Sequence, residues 1–309
     1  MIGGIIITVV MIAASCQKDP VEADPPSDDV ELPIVFSVSP TRQVTFSPGN
    51  LQYHAYSNTW RFAPHQYDYI GTHIPDEYWG DYGWTDDGSD NRDISPTYDG
   101  WIDLFGWGTS GWNSGATCYQ PWSISTTDSD YGPGDTNDLT GAYSEADWAW
   151  HNSILNGGYI IHRWRTLTYE EWNYLLFERP NFLEKYGLGS IIGINGLIIL
   201  PDNWTLPVGC TFKPYSARHN VDLPDNNYSL EQWKLMESAG AVFLPAAGYR
   251  LRGTEVLKVG VTGKYWTSTH WGWSGACSMG FRKDVKDIYT SGGDDRSHGY
   301  SVRPVRDIN

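Results

Sequence analysis

The feature that most limits what this chain can form is a long central stretch, residues 72–141, where glycine and tryptophan replace any regular apolar pattern. Loops of this length inside a folded domain are usually functional or are fixed by their own side chains. Glycines beside Trp101, Trp107 and Trp112 allow the backbone to bend tightly around these large rings. We therefore predict a loop-rich fold in which most of these rings are buried anchors.

The aromatic content supplies enough apolar surface for a core despite this irregularity. The 309 residues include 16 Trp, 20 Tyr and 9 Phe, whereas charged residues make up only 19%. Disordered chains are poor in aromatics, so a folded domain is expected. The formal net charge is −16 and no basic cluster is present. Nucleic acid is therefore a poor candidate partner, and none is expected, because phosphate binding depends on Lys and Arg.

Short segments of alternating apolar residues predict β-strands separated by turns. These segments are 34–38, 44–46, 51–53, 60–62, 197–200, 241–244, 265–269, 277–281 and 300–305. Three short helices are also predicted. One begins at Ser144 and runs to about Ser153, while Thr168 and Ser229 each begin a capping box that starts a helix. Gly240 is expected to end the third helix.

The N-terminus has the pattern of an export signal. Residues 2–14 are apolar and are followed by Ser15 and Cys16. A membrane span needs about 20 apolar residues, so this run is too short and is typical of a cleavable signal peptide. The small residues before Cys16 resemble a bacterial lipobox, which implies a signal peptide at 1–15 and lipidation of Cys16. An ordinary Cys16 in a soluble secreted protein is the alternative.

Residues 16–32 form an acidic, proline-rich stretch after this cysteine. Such a composition cannot form a packed core, and it favours an extended tether. The stretch resembles the export tag of Bacteroidetes lipoproteins, which implies a lipid-anchored location on the outer face of the cell outer membrane. The remaining residues, 33–309, are then the folded domain.

The other three cysteines, Cys118, Cys210 and Cys277, lie far apart in the sequence. Their spacing is not that of a zinc site. In an oxidising compartment one disulfide could form among them, and the sequence does not select the pair.

One motif and several longer segments carry a family resemblance. The sequence WRTLT at 164–168, followed by EW at 171–172, resembles the RLPTEAEW signature of formylglycine-generating-enzyme-like domains. Further segments are similar to Bacteroidetes surface lipoproteins related to the Fibrobacter succinogenes major paralogous domain. These segments are 49–53, 60–71, 100–112, 200–207, 237–250, 265–272 and 299–306. The resemblance implies one α+β, C-type-lectin-like domain at 33–309, with small twisted sheets and two or three short helices.

The resemblance does not imply catalysis. Formylglycine-generating enzymes are copper-dependent oxidases with a closely spaced cysteine pair near the C-terminal end of the domain, where this chain has only Cys277. No nucleophile elbow or phosphate-binding loop is present. His151 follows Asp147 by four residues, so a hydrogen bond on a helix face explains that pair. We expect a protein that is not an enzyme, with a metal-dependent oxidase as an alternative.

Two acidic loops have carboxylates of the kind that bind calcium. One contains Asp86, Asp87, Asp90 and Asp93, and the other contains Asp128, Asp130, Asp135 and Asp138. Neither has the spacing of a calcium-binding loop, and solvated acidic turns are the commoner outcome. We expect no cofactor, with calcium as the alternative.

The segment 270–298 is the predicted ligand-binding surface, because the corresponding segment faces the ligand in C-type-lectin-like domains. The candidate residues are His270, Trp271, Trp273, Ser274, Arg282, Lys286, Tyr289, Asp294, Asp295 and His298. Exposed Trp and Tyr stack on sugars or form hot spots for protein partners. Trp271 and Trp273, in a glycine-containing turn, are predicted to be exposed, whereas Trp266 is predicted to lie in the core.

These observations favour a surface lipoprotein whose domain binds a glycan or a surface protein. One alternative is a target protein of a diversity-generating retroelement, although the lack of Asn in 270–298 is unlike such targets. Another alternative is a structural component of a surface assembly.

Overall fold

Short antiparallel strands dominate the computed structural model, which describes residues 34–71, 90–134, 136–215 and 226–308. The predicted signal peptide 1–15, Cys16 and the tether 16–32 lie outside the described residues, as do Asp86, Asp87 and Asp135. The strands are β1 (Phe36–Ser37), β2 (Gln43–Phe46), β3 (Leu51–His54), β4 (Thr59–Phe62), β5 (Trp101–Ile102), β6 (Tyr186–Ile191), β7 (Ile194–Ile199), β8 (Asn226–Tyr228), β9 (Val242–Pro245), β10 (Tyr249–Leu251), β11 (Glu255–Leu257), β12 (Thr262–Trp271), β13 (Gly275–Arg282), β14 (Asp287–Asp295) and β15 (Val305–Ile308).

These strands form five small sheets with the orders β1-β2-β15, β4-β3-β5, β8-β6-β7-β9, β10-β11 and β12-β13-β14. All pairings within the sheets are antiparallel except that of β6 with β8. Strand β15 pairs with β2, so the two ends of the described chain meet in one sheet. Together with a few short helices, this arrangement confirms the predicted α+β class.

Two of the three predicted helices begin where the capping boxes indicate. The helix α2 (Tyr169–Asn173) is capped by Thr168, and α3 (Leu230–Ser238) is capped by Ser229. In both helices the side chain of the cap residue accepts from the backbone N–H three residues later. The side chain of that later residue accepts from the backbone N–H of the cap residue. A π-helical turn, Tyr174–Glu178, extends α2. None of the helices in the described ranges has the length and apolar character needed to cross a membrane.

The prediction of one helix from Ser144 to Ser153 is wrong. A 3₁₀ segment, Gly141–Ala146, ends before Asp147, and α1 (Trp148–His151) is a single turn. Asp147 is extended because its buried carboxylate accepts hydrogen bonds from the backbone N–H groups of Ala149 at 3.0 Å and Thr166 at 2.7 Å. The N-cap position therefore interrupts the helix that local propensity favours.

Buried tryptophans fix the irregular segments to the sheets. Trp107 is fully buried, and its Nε1 donates to the carbonyl of Thr267 in β12 at 2.9 Å. Gly132 has φ +75°, and a Cβ atom there would lie 2.4 Å from the Trp107 ring. The close approach therefore requires glycine. Trp101 and Trp112 are only half-buried, so of the three rings predicted as anchors one is fully enclosed.

The sheet β12-β13-β14 contributes to two hydrophobic core clusters. Tyr265, Met279, Phe281 and Ile288 belong to the first, and Trp266 and Ala276 belong to the second. The register shifts between Trp266 and His270, where four residue steps of β12 lie opposite two steps of β13, so that β12 bulges. Its backbone is not left unbonded, because Ser268 donates to the carbonyl of Leu167 at 2.9 Å and accepts from the N–H of Leu139 at 2.8 Å. Bulges of this kind redirect side chains near functional sites.

Candidate functional site

The turn between β12 and β13 carries two exposed tryptophans. Trp271 is 55% exposed and Trp273 is 75% exposed, as predicted, whereas Trp266 is buried in the core, also as predicted. Ser274, in the same turn, is exposed as well. We call the turn Trp271–Gly275, together with Gly292–Gly293 of β14, the tryptophan tip.

Two glycines form a flat seat for the ring of Trp271. A Cβ atom at Gly292 would lie 2.4 Å from Cε3 of Trp271, and a Cβ atom at Gly293 would lie 3.2 Å from Nε1. The indole therefore occupies the space that side chains at these positions would fill. The ring therefore packs on the two glycines while more than half of its surface remains open to solvent.

Some of the predicted polar residues surround the tip but are already bonded to the protein. His270 donates its backbone N–H to Oδ1 of Asp138 at 2.9 Å, and its Nδ1 lies 2.6 Å from the same oxygen. Asp295 forms an ion pair with Arg252, and His298 Nε2 lies 3.7 Å from Asp295. Burial lowers the pKa of His298. These side chains therefore already have hydrogen-bond or ion-pair partners within the protein.

Asp294 is the centre of a partly buried polar cluster beside the sheet, in which Ser278 and Tyr300 are buried. Its carboxylate accepts from Lys264 Nζ at 3.0 Å, from the hydroxyl of Tyr300 at 3.0 Å and, in a short bond, from Ser278 Oγ. Burial is the main reason that the pKa of Tyr300 lies well above its usual value. Tyr289 lies beside this cluster, with Lys264 Nζ 5.2 Å from its ring centre, and burial raises its pKa to about 12.

The ten predicted residues do not form one site. Gly275 pairs with Asp295 at the end of the sheet that carries the tip. Arg282 pairs with Asp287 at the opposite end. Strands rise by about 3.3 Å per residue, so this separation is on the order of 20–25 Å. Arg282 donates to Asp284 at 3.0 Å, and Lys286 lies in the same distant turn. These two residues therefore do not contribute to the tryptophan tip.

Sequence reasoning missed Lys264, Ser278, Arg252 and the seat formed by Gly292 and Gly293. The glycine pair carried a usable signal, because glycine within a strand often marks close approach of another group. No sequence pattern indicated Lys264 or Ser278, because only the pairing of the strands brings them next to Asp294.

Most of the described carboxylates in the two acidic loops accept hydrogen bonds from protein donors. Asp128 accepts from the backbone and hydroxyl of Ser297, at 3.0 and 2.6 Å, and Asp130 accepts from Ser125 Oγ at 2.6 Å. Asp93 is exposed, and Asp138 is bonded to His270. Within the described ranges, no group of three or more His, Cys, Asp or Glu residues is arranged to hold a metal ion.

The three described cysteines are unpaired, so the disulfide that the sequence left open is not formed among Cys118, Cys210 and Cys277. Cys277 is buried in β13, and its Sγ lies 3.6 Å from the carbonyl oxygen of His270. Burial raises the pKa of this thiol to about 12. At neutral pH the group is therefore a protonated thiol and a poor nucleophile.

A second region of interest surrounds the motif residue Arg165. Its guanidinium donates to Glu171 at 2.6 and 2.8 Å and to Asp307 at 2.8 and 2.9 Å. Arg42 lies 3.2 Å from Glu171 and 3.8 Å from Asp307. We call these four residues the arginine network. They join the 164–168 segment, α2 and β15, and bidentate pairs of this kind are strong and directional.

Two cavities adjoin this network. The larger, of about 550 Å³, lies between the turn after β1 and α2, and the smaller, of about 350 Å³, is lined by Trp150 and Asp307 among others. Arg42 and Thr168 border both. His151 lies nearby, but the predicted bond to the Asp147 side chain is wrong. His151 Nδ1 lies 2.7 Å from Glu145 Oε2 instead, because Asp147 is turned inward as the N-cap.

Comparison of the chain with family models, curated proteins and solved structures gives no match. The fold and site together define an α+β protein with a preformed, solvent-exposed tryptophan surface at one end of a three-stranded sheet.

Proposed function

We propose that this protein is a lipid-anchored lipoprotein of the cell outer membrane that binds a glycan or surface-protein ligand through the tryptophan tip. In this proposal residues 33–309 form a C-type-lectin-like domain, and the protein carries out no reaction. The observation that carries it is the ring of Trp271, seated on Gly292 and Gly293 with more than half of its surface exposed.

Tryptophan exposed in this way suits recognition. Burying an indole in a complex removes a large apolar surface from water, and tryptophan is enriched among residues that dominate binding energy. The glycine seat limits ring motion before binding, so less conformational entropy is lost when the ligand docks. Trp273 adds a second apolar surface in the same turn.

The chemistry of the polar groups supports binding over catalysis. Cys277 is a protonated thiol, and the carboxylate of Asp294 is occupied by three protein donors. A nucleophilic cysteine reacts as its thiolate, and a general base must lie within hydrogen-bond reach of its substrate. The buried thiol and the protein-bonded carboxylate are poorly suited to these roles.

The binding proposal is tested with glycan and surface-protein arrays probed with the purified protein. Trp271→Ala should weaken the strongest interaction at least about tenfold, in the range of hot-spot residues. Tyr56→Ala is the matched control, since Tyr56 is 71% exposed in the turn after β3. Unchanged binding by Trp271→Ala and Trp273→Ala would remove the tip from the proposal.

The anchoring proposal is tested separately in cells fed a labelled fatty acid. The wild-type chain should incorporate label and be digested by protease added to intact cells, whereas Cys16→Ala should not be labelled. Retention of residues 1–15 on a cytoplasmic product would contradict this part of the proposal.

A further inference from the structure

The smaller cavity beside the arginine network has the features of a ligand site that is separate from the tryptophan tip. Its volume is about 350 Å³, near the lower limit of small-molecule pockets in proteins. At about 30 Å³ per water molecule it has room for roughly ten waters. A ligand with a single six-membered ring and its substituents is of this size.

One wall of the cavity is a tryptophan with a fixed orientation. Trp150 lines the cavity and stacks on His162, with ring centres 5.0 Å apart and planes inclined by 23°. The backbone N–H of His162 donates to the carbonyl of Trp150 at 2.9 Å. Glu145 holds the imidazole through a contact of 2.9 Å to Nε2. The ring of Trp150 is therefore held by a stacked neighbour that does not itself line the cavity.

The rest of the wall is polar and includes both donors and acceptors. Asp307 offers carboxylate oxygens that still have accepting capacity after bonding to Arg165, and Arg42 has further N–H donors because its side chain is 56% exposed. Thr140 and Ser144 contribute hydroxyl groups. Neighbouring donors and acceptors of this kind can bond to vicinal hydroxyls, which donate and accept at once.

The charged side chains that line the cavity balance, because the guanidiniums of Arg42 and Arg165 stand against the carboxylates of Asp147 and Asp307. The guanidiniums of Arg42 and Arg165 are both paired with the carboxylates of Glu171 and Asp307. An anionic ligand would have to displace Glu171 or Asp307 from Arg165, and a cationic ligand would have to displace Arg165 from them. Either exchange would leave a partly buried charge without its partner, which is costly. A neutral ligand avoids both costs.

From the supported tryptophan, the mixed donors and acceptors and the balanced charge, we propose that this cavity binds one neutral pyranose ring. The ligand class is therefore an uncharged monosaccharide or the equivalent unit of a longer glycan. This proposal goes beyond the function assigned to the tryptophan tip, since it involves different residues and could hold even if the tip binds a protein.

The cavity is connected to the tip through β12. Leu139 and Thr140 line the cavity, Leu139 bonds to the bulge of β12, and the preceding Asp138 bonds to His270 next to Trp271.

The test uses the purified full-length protein and methyl pyranosides of glucose, galactose, mannose and N-acetylglucosamine, added singly. Saturation-transfer NMR and titration calorimetry should detect millimolar binding of at least one of them. Trp150→Ala should weaken that binding at least about tenfold, as expected for loss of a hot-spot aromatic. Trp271→Ala, the matched control at the tip, should leave it unchanged.

Ser144→Phe provides a second variant that fills the cavity and keeps every core side chain, in case Trp150→Ala does not fold. It should abolish pyranoside binding while the thermal unfolding curve stays cooperative. The proposal is overturned if none of the four pyranosides binds, if binding survives Ser144→Phe, or if sodium acetate or inorganic phosphate binds in the same place more tightly. Loss of binding in Trp271→Ala alone would instead assign the sugar to the tip.

Discussion

The tryptophan tip and the arginine network differ in how far their side chains are bonded to the rest of the protein. At the tip, Trp271 rests on glycine backbone and leaves most of its ring to solvent. In the network, Arg165 bonds to two carboxylates at once and is largely buried. The first arrangement leaves an aromatic ring open to a partner in the free protein, whereas the second uses the donors of Arg165 internally. The network therefore stabilises the fold, and the tip is available to a partner.

The largest expected effect tests the structural half of this comparison. Arg165→Ala should lower the free energy of unfolding by roughly 3 kcal/mol, because removing one partner of a buried ion pair leaves uncompensated charge. Arg42→Ala is the control, and its exposed position predicts a loss below about 1 kcal/mol. Chemical denaturation of both variants measures the difference. Equal small losses would show that Arg165 is no more structural than a surface residue.

A second effect of similar size depends on pH. Burial raises the pKa of the Asp147 carboxyl from 3.8 to about 6. Between about pH 4 and pH 6 the folded state therefore keeps a proton that the unfolded chain releases, and the contribution of Asp147 to stability falls as the pH rises through this window. The shift corresponds to at most about 3 kcal/mol. As the pH rises from 4 to 7, the free energy of unfolding of Asp147→Asn should increase relative to that of the wild type.

Asp307 provides a control of opposite sign. Hydrogen bonds from Arg165 lower the pKa of this carboxyl, so its contribution is present above the unfolded pKa and is lost as the pH falls. Asp307→Asn should therefore lose stability relative to wild type as the pH rises from acid to neutral. The same trend in both variants would contradict the assignment.

Local patterns predicted the elements whose causes lie close together in the sequence. The capping boxes at Thr168 and Ser229 satisfy donors three residues away, and both helices start there. The helix at 144–153 was predicted wrongly because the N–H that holds Asp147 belongs to Thr166, 19 residues further on. Local propensity contains no information about such a contact.

The candidate site shows the same limit. The exposure of Trp271 and Trp273 followed from their position in a glycine-containing turn, and the structure confirms it. The grouping of ten residues into one surface did not hold, because strand pairing sends Arg282 and Lys286 to the far end of the sheet. The family motif also gave no hint that Arg165 would reach Asp307, 142 residues away.

The smallest expected effect sharpens the role of the tip. In Gly292→Ala the new methyl group would lie 2.4 Å from Cε3 of Trp271, which is too close. The ring must therefore leave its seat, although no tip side chain is lost. Ligand affinity should fall about tenfold or less, because the cost is one of pre-organisation. The free energy of unfolding should change by less than about 1 kcal/mol, as for most surface substitutions.

Gly115→Ala is the matched control for this substitution. Gly115 is exposed, and an added Cβ atom would meet only the Asn113 side chain at 3.6 Å, an ordinary contact. Its affinity should equal that of the wild type in the same assay. If Gly292→Ala also binds like wild type while Trp271→Ala does not, the indole contributes by its apolar surface alone. The glycine seat would then be a packing feature of β14 without a part in recognition.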